Sequence, residues 1–89
     1  MDIKILKERV CQAIDAHREE IIALGDSIFA EPELGYKEYK TAEKVKKFID
    51  EKIQMPYESE IARTGIIGKM AGRDHKVNLA IMGELDAVV

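Results

Sequence analysis

Two carboxylates, Glu84 and Asp86, follow directly on the apolar run Val77-Asn78-Leu79-Ala80-Ile81-Met82, within the segment Gly83-Glu84-Leu85-Asp86-Ala87. On extended backbone, residues two apart share one side and Leu85 turns the other way. Two acids on one side suit metal binding, orientation of a metal-ligating histidine, or acid–base work. The simpler alternative is that one acid caps the turn after a strand while the other is solvated. Spacing alone leaves both open. In α/β proteins the chemistry gathers at the C-terminal ends of buried strands, which is where this pair is predicted to sit. The chain therefore reads as one that halts just as an active site begins.

Cys11, His17 and His75 are the other candidate ligands or nucleophiles. Cys11 and His17 are six residues apart, which on a helix separates them by about 120°, so they do not converge. Cys11 reads as a small buried hydrophobe beside Val10 and Ile14. His17 lies on an apolar stripe and reads as a partly buried histidine with a hydrogen-bond partner. His75 belongs to a polar turn and reads as solvent-exposed. No zinc-type pair or triad spacing occurs. Gly65, Gly68 and Gly72 open no helix, so a strand bend or close backbone approach explains them better than a phosphate loop. Glu33 and Glu38 could be taken for catalytic acids, but acids around a helix start meet its dipole favourably, and the structural role is preferred.

The elements that position these residues follow from periodicity. Ile3, Leu6, Val10, Ile14, Ile21, Leu24 and Ile28 fall at helical steps and predict one long helix over about 3–30, with Asp2 as N-cap and Pro32 ending it. A second helix is predicted over about 37–53, with Ala42, Val45, Ile49 and Ile53 on one face and an i,i+4 pair, Glu43 and Lys47, on another. Strands are predicted over about 57–62, 66–71 and 76–83, the last two forming an antiparallel hairpin around Gly72-Arg73-Asp74-His75. The 77–82 run reads as covered on both faces, although two helices offer little to cover it. A larger parent domain resolves that mismatch.

Composition narrows the class. The chain has 89 residues, 46% hydrophobic and 35% charged, with a formal charge of -3. A chain this short buries only about 60–65% of its unfolded surface, so independent stability is marginal. Mild acidity leaves no basic footprint for nucleic acid, and the lysines of 37–47 alternate with acids and apolar residues as on a solvated helix face. No apolar run is long enough to span a membrane, and the charged N-terminus is not a secretory signal. A single cysteine excludes an intramolecular disulfide, which leaves the cytoplasm as the expected compartment.

Three segments also resemble a known family. Pro32-Glu33-Leu34-Gly35-Tyr36-Lys37-Glu38-Tyr39-Lys40-Thr41-Ala42 resembles the P-E-L-G-x-x-E-x-x-T-A segment of the M20 metallopeptidase and amidohydrolase family. The similarity is to the branch of N-acyl amino acid and aminobenzoyl-glutamate hydrolases. Arg63-Thr64-Gly65-Ile66-Ile67-Gly68 is similar to that branch's T-G-[IV]-[IV]-[GA] strand start, and Gly83-Glu84-Leu85-Asp86-Ala87 to its [AG]-[DE]-[MYL]-D-A-L segment. The three occur in the family's order and span most of the chain from Pro32 onward.

The resemblance implies an α/β class, with residues 1–89 forming the N-terminal part of a zinc-exopeptidase-like three-layer α/β/α catalytic domain. It implies a two-metal centre, zinc or manganese, in the parent protein, where the metals activate a water and a glutamate shuttles its proton during hydrolysis of an N-acyl or peptide-like amide bond. It also implies dimerisation of the parent through an inserted domain. Asp86 matches the aspartate that sits behind the metal site and orients a ligand. Glu84 holds a place where peptidase branches carry a metal-ligating histidine. Glu33 and Thr41 match positions with structural roles. The Cys-Gly-His ligand segment and the general base lie downstream of the matched residues, so this chain is expected to bind no metal and to be inactive alone. It departs from the family at Phe29 and Glu31, where many relatives carry histidines, and at Val88 and Val89, which replace a leucine–proline pair. The rival readings are a non-enzymatic helical-hairpin module that offers its apolar stripe to a partner, and a degenerate truncated gene product.

Overall fold

The Asp2 carboxylate accepts from the Lys4 amide at 3.2 Å and so satisfies one of the donors that a helix start leaves unpaired. From there the elements run α1 (Ile3–Ala16), α2 (Arg18–Ala30), α3 (Tyr39–Phe48), β1 (Tyr57–Ile61) and β2 (Gly65–Gly68). The computed structural model describes residues 2–74 and 76–88, and within them the fold is mixed α/β: three helices and one two-stranded antiparallel sheet. The sequence positions given to His75 and Val89 lie outside the described residues. No helix among the described residues is long and apolar enough to cross a membrane.

The single helix predicted over 3–30 is divided at His17, whose backbone (φ -108°, ψ 15°) leaves the helical region. Its amide reaches back only to the Ile14 carbonyl, at 3.1 Å, and Glu19 and Glu20 then occupy the first turn of α2, where acids meet the helix dipole. The apolar stripe runs through this break without a change of step, so periodicity could not report it. What differs is packing. Leu24 and Ile28 of α2 are half-buried, whereas α1 buries none of its side chains.

The helix predicted over 37–53 begins at Tyr39, because the Lys37 amide is taken by a turn to the Leu34 carbonyl at 2.9 Å. At Ile49 the winding widens into a π-type turn, Ile49–Ile53. Gln54, in the left-handed region at φ 58°, closes it by donating to the Ile49 carbonyl, and Pro56 forbids further helix. The buried face is short: Thr41 (1% exposed), Ala42 and Ile49 form its centre, with Val45 and Phe48 half-buried and Ile53 exposed. Lys44 joins α3 to α2 by donating to the Ser27 carbonyl at 2.7 Å and to Glu31 at 3.0 Å. Glu43 pairs with Lys46 at 2.7 Å rather than with Lys47.

In the sheet Tyr57 lies opposite Gly68 and Glu58 opposite Ile67, then the register slips before Ile61 meets Gly65. Glu60 adopts φ 60° at the slip, and Ala62 (φ 48°) and Arg63 (φ 83°) make the tight connection, all three in the left-handed region. Two consecutive left-handed residues twist the turn in the sense that adjacent antiparallel strands require.

The predicted hairpin of 66–71 with 76–83 does not form. β2 pairs with β1 instead, and residues 77–83 belong to no strand. Val77, Leu79, Ile81 and Met82 are 81–92% exposed, so the expectation of a run covered on both faces is also overturned. The apolar pattern reports what a segment could bury; a strand exists only where a ladder partner stands beside it. Among the described residues the sheet has two strands, with α3 packed against β2.

Gly65 lies against unyielding backbone in this sheet. A Cβ there would lie 2.6 Å from the Ile61 backbone carbonyl oxygen, whereas Gly25 in α2 has nothing within 4 Å. Gly65→Ala is expected to destabilise the chain by about 1–3 kcal/mol through overpacking. Gly25→Ala should stabilise it by up to about 1 kcal/mol through helix propensity. Urea unfolding midpoints of the two variants against the parent chain check both signs.

Candidate functional site

Glu33 organises the loop between α2 and α3. Its carboxylate accepts from the Thr41 amide at 2.6 Å, the Thr41 hydroxyl at 2.8 Å and the Lys40 amide at 3.2 Å, filling the unpaired donors at the start of α3 from outside the helix. The Thr41 amide above all, helped by the Thr41 hydroxyl and the Lys40 amide, holds the Glu33 carboxyl below its usual range against a smaller opposing penalty from desolvation. The Glu33 carbonyl meanwhile accepts from the Ala87 amide at 2.7 Å, which anchors the acidic segment to the same loop.

Glu38 departs from its expected role. It precedes α3, yet its side chain makes no capping bond. Instead it turns inward, 9% exposed, and its Oε2 accepts from the Thr64 hydroxyl at 3.1 Å. Its Oε1 is buried without a hydrogen-bond partner among the described residues. Above this pair the Arg63 guanidinium lies 5.8 Å from the Tyr36 ring centroid, a cation–π distance that ties the turn of the hairpin to the loop after α2.

Asp86 faces that loop: a Cβ built on Gly35 would sit 4.0 Å from its Oδ2, an ordinary contact distance that places the carboxylate beside the backbone there. Asp86 and Glu38 border one cavity of about 330 Å³ together with Gly35, Tyr36, Thr64 and Gly65. Glu84 borders a different one, of about 490 Å³, beside β2. The exposed Glu84 and Asp86 alternate with half-buried Leu85 and Ala87, as extended backbone requires, but the two carboxylates serve different spaces.

The remaining candidates stand apart. Cys11 is exposed on α1, and the largely exposed His17 pairs through Nδ1 with Glu20 at 3.4 Å. Cys11 was expected to be buried and His17 partly buried with a partner; His17 has that partner in Glu20, but both side chains are exposed because no element among the described residues covers this apolar stripe. Among the described residues no three His, Cys, Asp or Glu side chains converge so as to hold a metal ion. The residues present therefore do not fit the two-metal centre that the resemblance implies.

The structure thus joins three stretches distant in sequence: the loop at 33–38, the turn at 63–65 and the segment at 83–87. The Glu38–Thr64 bond was missed by sequence reading, which took Glu38 as a helix-start acid and Thr64 as a turn marker; both lay inside the quoted motifs, and that shared membership was the available signal. Compared with protein-family models, curated proteins and solved structures, the chain matches none.

Two expectations follow. Because the Glu33 carboxyl is lowered in the folded chain, the stability it contributes is complete above the ordinary value of 4.5 and is lost as pH falls through the folded-state value. Stability measured by denaturant titration should therefore drop on acidification below pH 4.5, and Glu33→Gln should flatten that slope while leaving the part due to Glu31, which Lys44 also lowers. Thr64→Val, which leaves buried Glu38 with neither oxygen bonded, should cost about 1–3 kcal/mol, and adding Glu38→Met should recover part of the loss.

Proposed function

We propose that the chain is the N-terminal portion of a cytoplasmic, metal-dependent amidohydrolase of the M20 type, acting on small N-acyl amino acids or peptide-like amides. One observation carries this reading: the three segments that resemble the family's motifs meet in space. The Glu33 carbonyl holds the Ala87 amide at 2.7 Å, and the Glu38 carboxylate holds the Thr64 hydroxyl at 3.1 Å.

In this reading the chain supplies scaffold rather than reacting groups. Glu33 and Thr41 fix the start of α3, Glu38 and Thr64 lock the hairpin turn beneath it, and Asp86 is carried over Gly35 as a positioning residue. It would orient a ligand provided by residues outside this chain. The parent would be a homodimer. A second reading, a non-enzymatic interaction module, draws on α1, which exposes Ile3, Leu6, Val10 and Ile14 and buries no side chain.

The purified 89-residue chain should hydrolyse no N-acetyl amino acid when zinc or manganese is added. Turnover that an Asp86→Ala variant lacks would show the chain to be a complete catalyst. Reading the DNA downstream of codon 89 decides the parentage: an in-frame Cys-Gly-His coding segment within a few dozen codons is expected, and its absence in any frame would sink the family reading in favour of the module.

A further inference from the structure

We infer that the cavity between Glu38 and Asp86 is a binding site for a small primary amine in its ammonium form. This goes beyond the amidohydrolase reading and does not rest on it, since every group it needs belongs to this chain.

The site is built on one oxygen. Glu38 is 9% exposed, its Oε2 accepts from the Thr64 hydroxyl at 3.1 Å, and its Oε1 is buried without a hydrogen-bond partner among the described residues. A buried carboxylate oxygen left unbonded is costly, and a charged donor relieves that cost most effectively. Such a donor reaches Oε1 from a space that Glu38 borders. The cavity beside β2 is one, but apart from Glu84 its lining is mainly apolar, with Val45, Ile49 and Ile66 among it. The other, of about 330 Å³, adds Tyr36, Thr64 and a second carboxylate, Asp86, and no lysine, arginine or histidine borders it among the described residues. Its field favours a cation.

Burial orders this lining. Glu38 and Thr64 are buried and make the floor, whereas Asp86 and Tyr36 are exposed and stand at the rim. Ile61 and Ala62 supply apolar wall for a short alkyl chain. Tyr36 (φ 62°) and Ala62 (φ 48°) both hold left-handed backbone, and departures of this kind collect at ligand clamps. The Arg63 guanidinium lies over the Tyr36 ring and borders a separate cavity, so this neighbouring cation does not serve Glu38.

The donors and acceptors select among cations. Among the described residues no three His, Cys, Asp or Glu side chains converge, so a divalent metal ion would lack its usual ligand set. A guanidinium offers a planar fork that matches both oxygens of one carboxylate, and Glu38 has already given one of its two to Thr64. A quaternary ammonium has no N–H to give. A primary ammonium carries three donors on a compact charge. One meets Glu38 Oε1, a second meets the Thr64 oxygen, which still accepts while donating to Glu38, and Asp86 shares the charge at the rim. The volume lies near the lower end for ligand pockets and suits an amine of a few carbons.

Butylammonium chloride titrated into the isotope-labelled 89-residue chain at neutral pH, where the amine is protonated, tests this by nuclear magnetic resonance. The amides of Gly35, Thr64 and Gly65 should shift saturably, with a dissociation constant on the order of 1–10 mM. Tetramethylammonium, butylguanidinium and calcium chlorides at equal ionic strength should bind at least about fivefold more weakly. Glu38→Gln should weaken butylammonium binding by about tenfold or more, and Asp86→Asn, at an exposed position, by about threefold. Where Glu38→Gln loses its far-ultraviolet circular dichroism, Asp86→Asn decides. Lys47→Gln, on α3 away from the cavity, should leave the affinity unchanged. A titration indistinguishable from sodium chloride, saturation by tetramethylammonium or calcium at the same concentration as by butylammonium, or an affinity unmoved by Asp86→Asn would each overturn the inference.

Discussion

The Glu33 carboxylate satisfies two backbone amides and a hydroxyl at the start of α3, and the carbonyl of the same residue holds the Ala87 amide. One loop residue therefore fixes both the entry of the helix and the path of the acidic segment. A helix start must find acceptors for its first amides, and here they come from a side chain eight residues upstream of Thr41, not from an adjacent cap. Because Thr41 is almost completely buried, losing its partner would leave a donor with no access to water, and that cost is what makes the arrangement specific.

Around this point the chain is organised by polar contacts more than by an apolar core. Among the described residues Ala42 and Ile49 are the buried apolar ones, while Glu38, Thr41 and Thr64 are buried as well. A small core offers little area for the hydrophobic effect, so geometry falls to hydrogen bonds, whose net contribution is modest but whose absence is expensive. The Glu38–Thr64 bond and the Arg63–Tyr36 contact both hold the β1–β2 turn to the loop after α2. The left-handed backbone at Ala62 and Arg63 is kept in place between them.

Much of this was legible in the sequence. Helical steps of three and four located α1, α2 and α3, Asp2 was read as a cap, and Glu33 as an acid serving a helix start. The strand predicted over 57–62 and the start of the one at 66–71 lie within a residue or so of β1 and β2. The failures share one cause. Cys11 and 77–82 were assigned to buried faces, and His17 to a partly buried one, because their neighbours are apolar, and each is exposed because no other element among the described residues stands opposite. Periodicity describes one side of a contact. The break at His17 escaped for a related reason, since the stripe continues across it unaltered.

What the amino-acid order determined alone is local: which stretches wind, which extend, where Pro32 and Pro56 forbid further helix, and that Glu84 and Asp86 alternate with Leu85 and Ala87 along extended backbone. Those outcomes depend on interactions within a few residues. Which strand pairs with β2, that Glu38 turns to Thr64 twenty-six residues away, and that Asp86 comes to rest over Gly35 were decided only in three dimensions. Each of these joins groups far apart in the chain, and the choice among possible partners depends on which of them the rest of the fold brings within bonding distance.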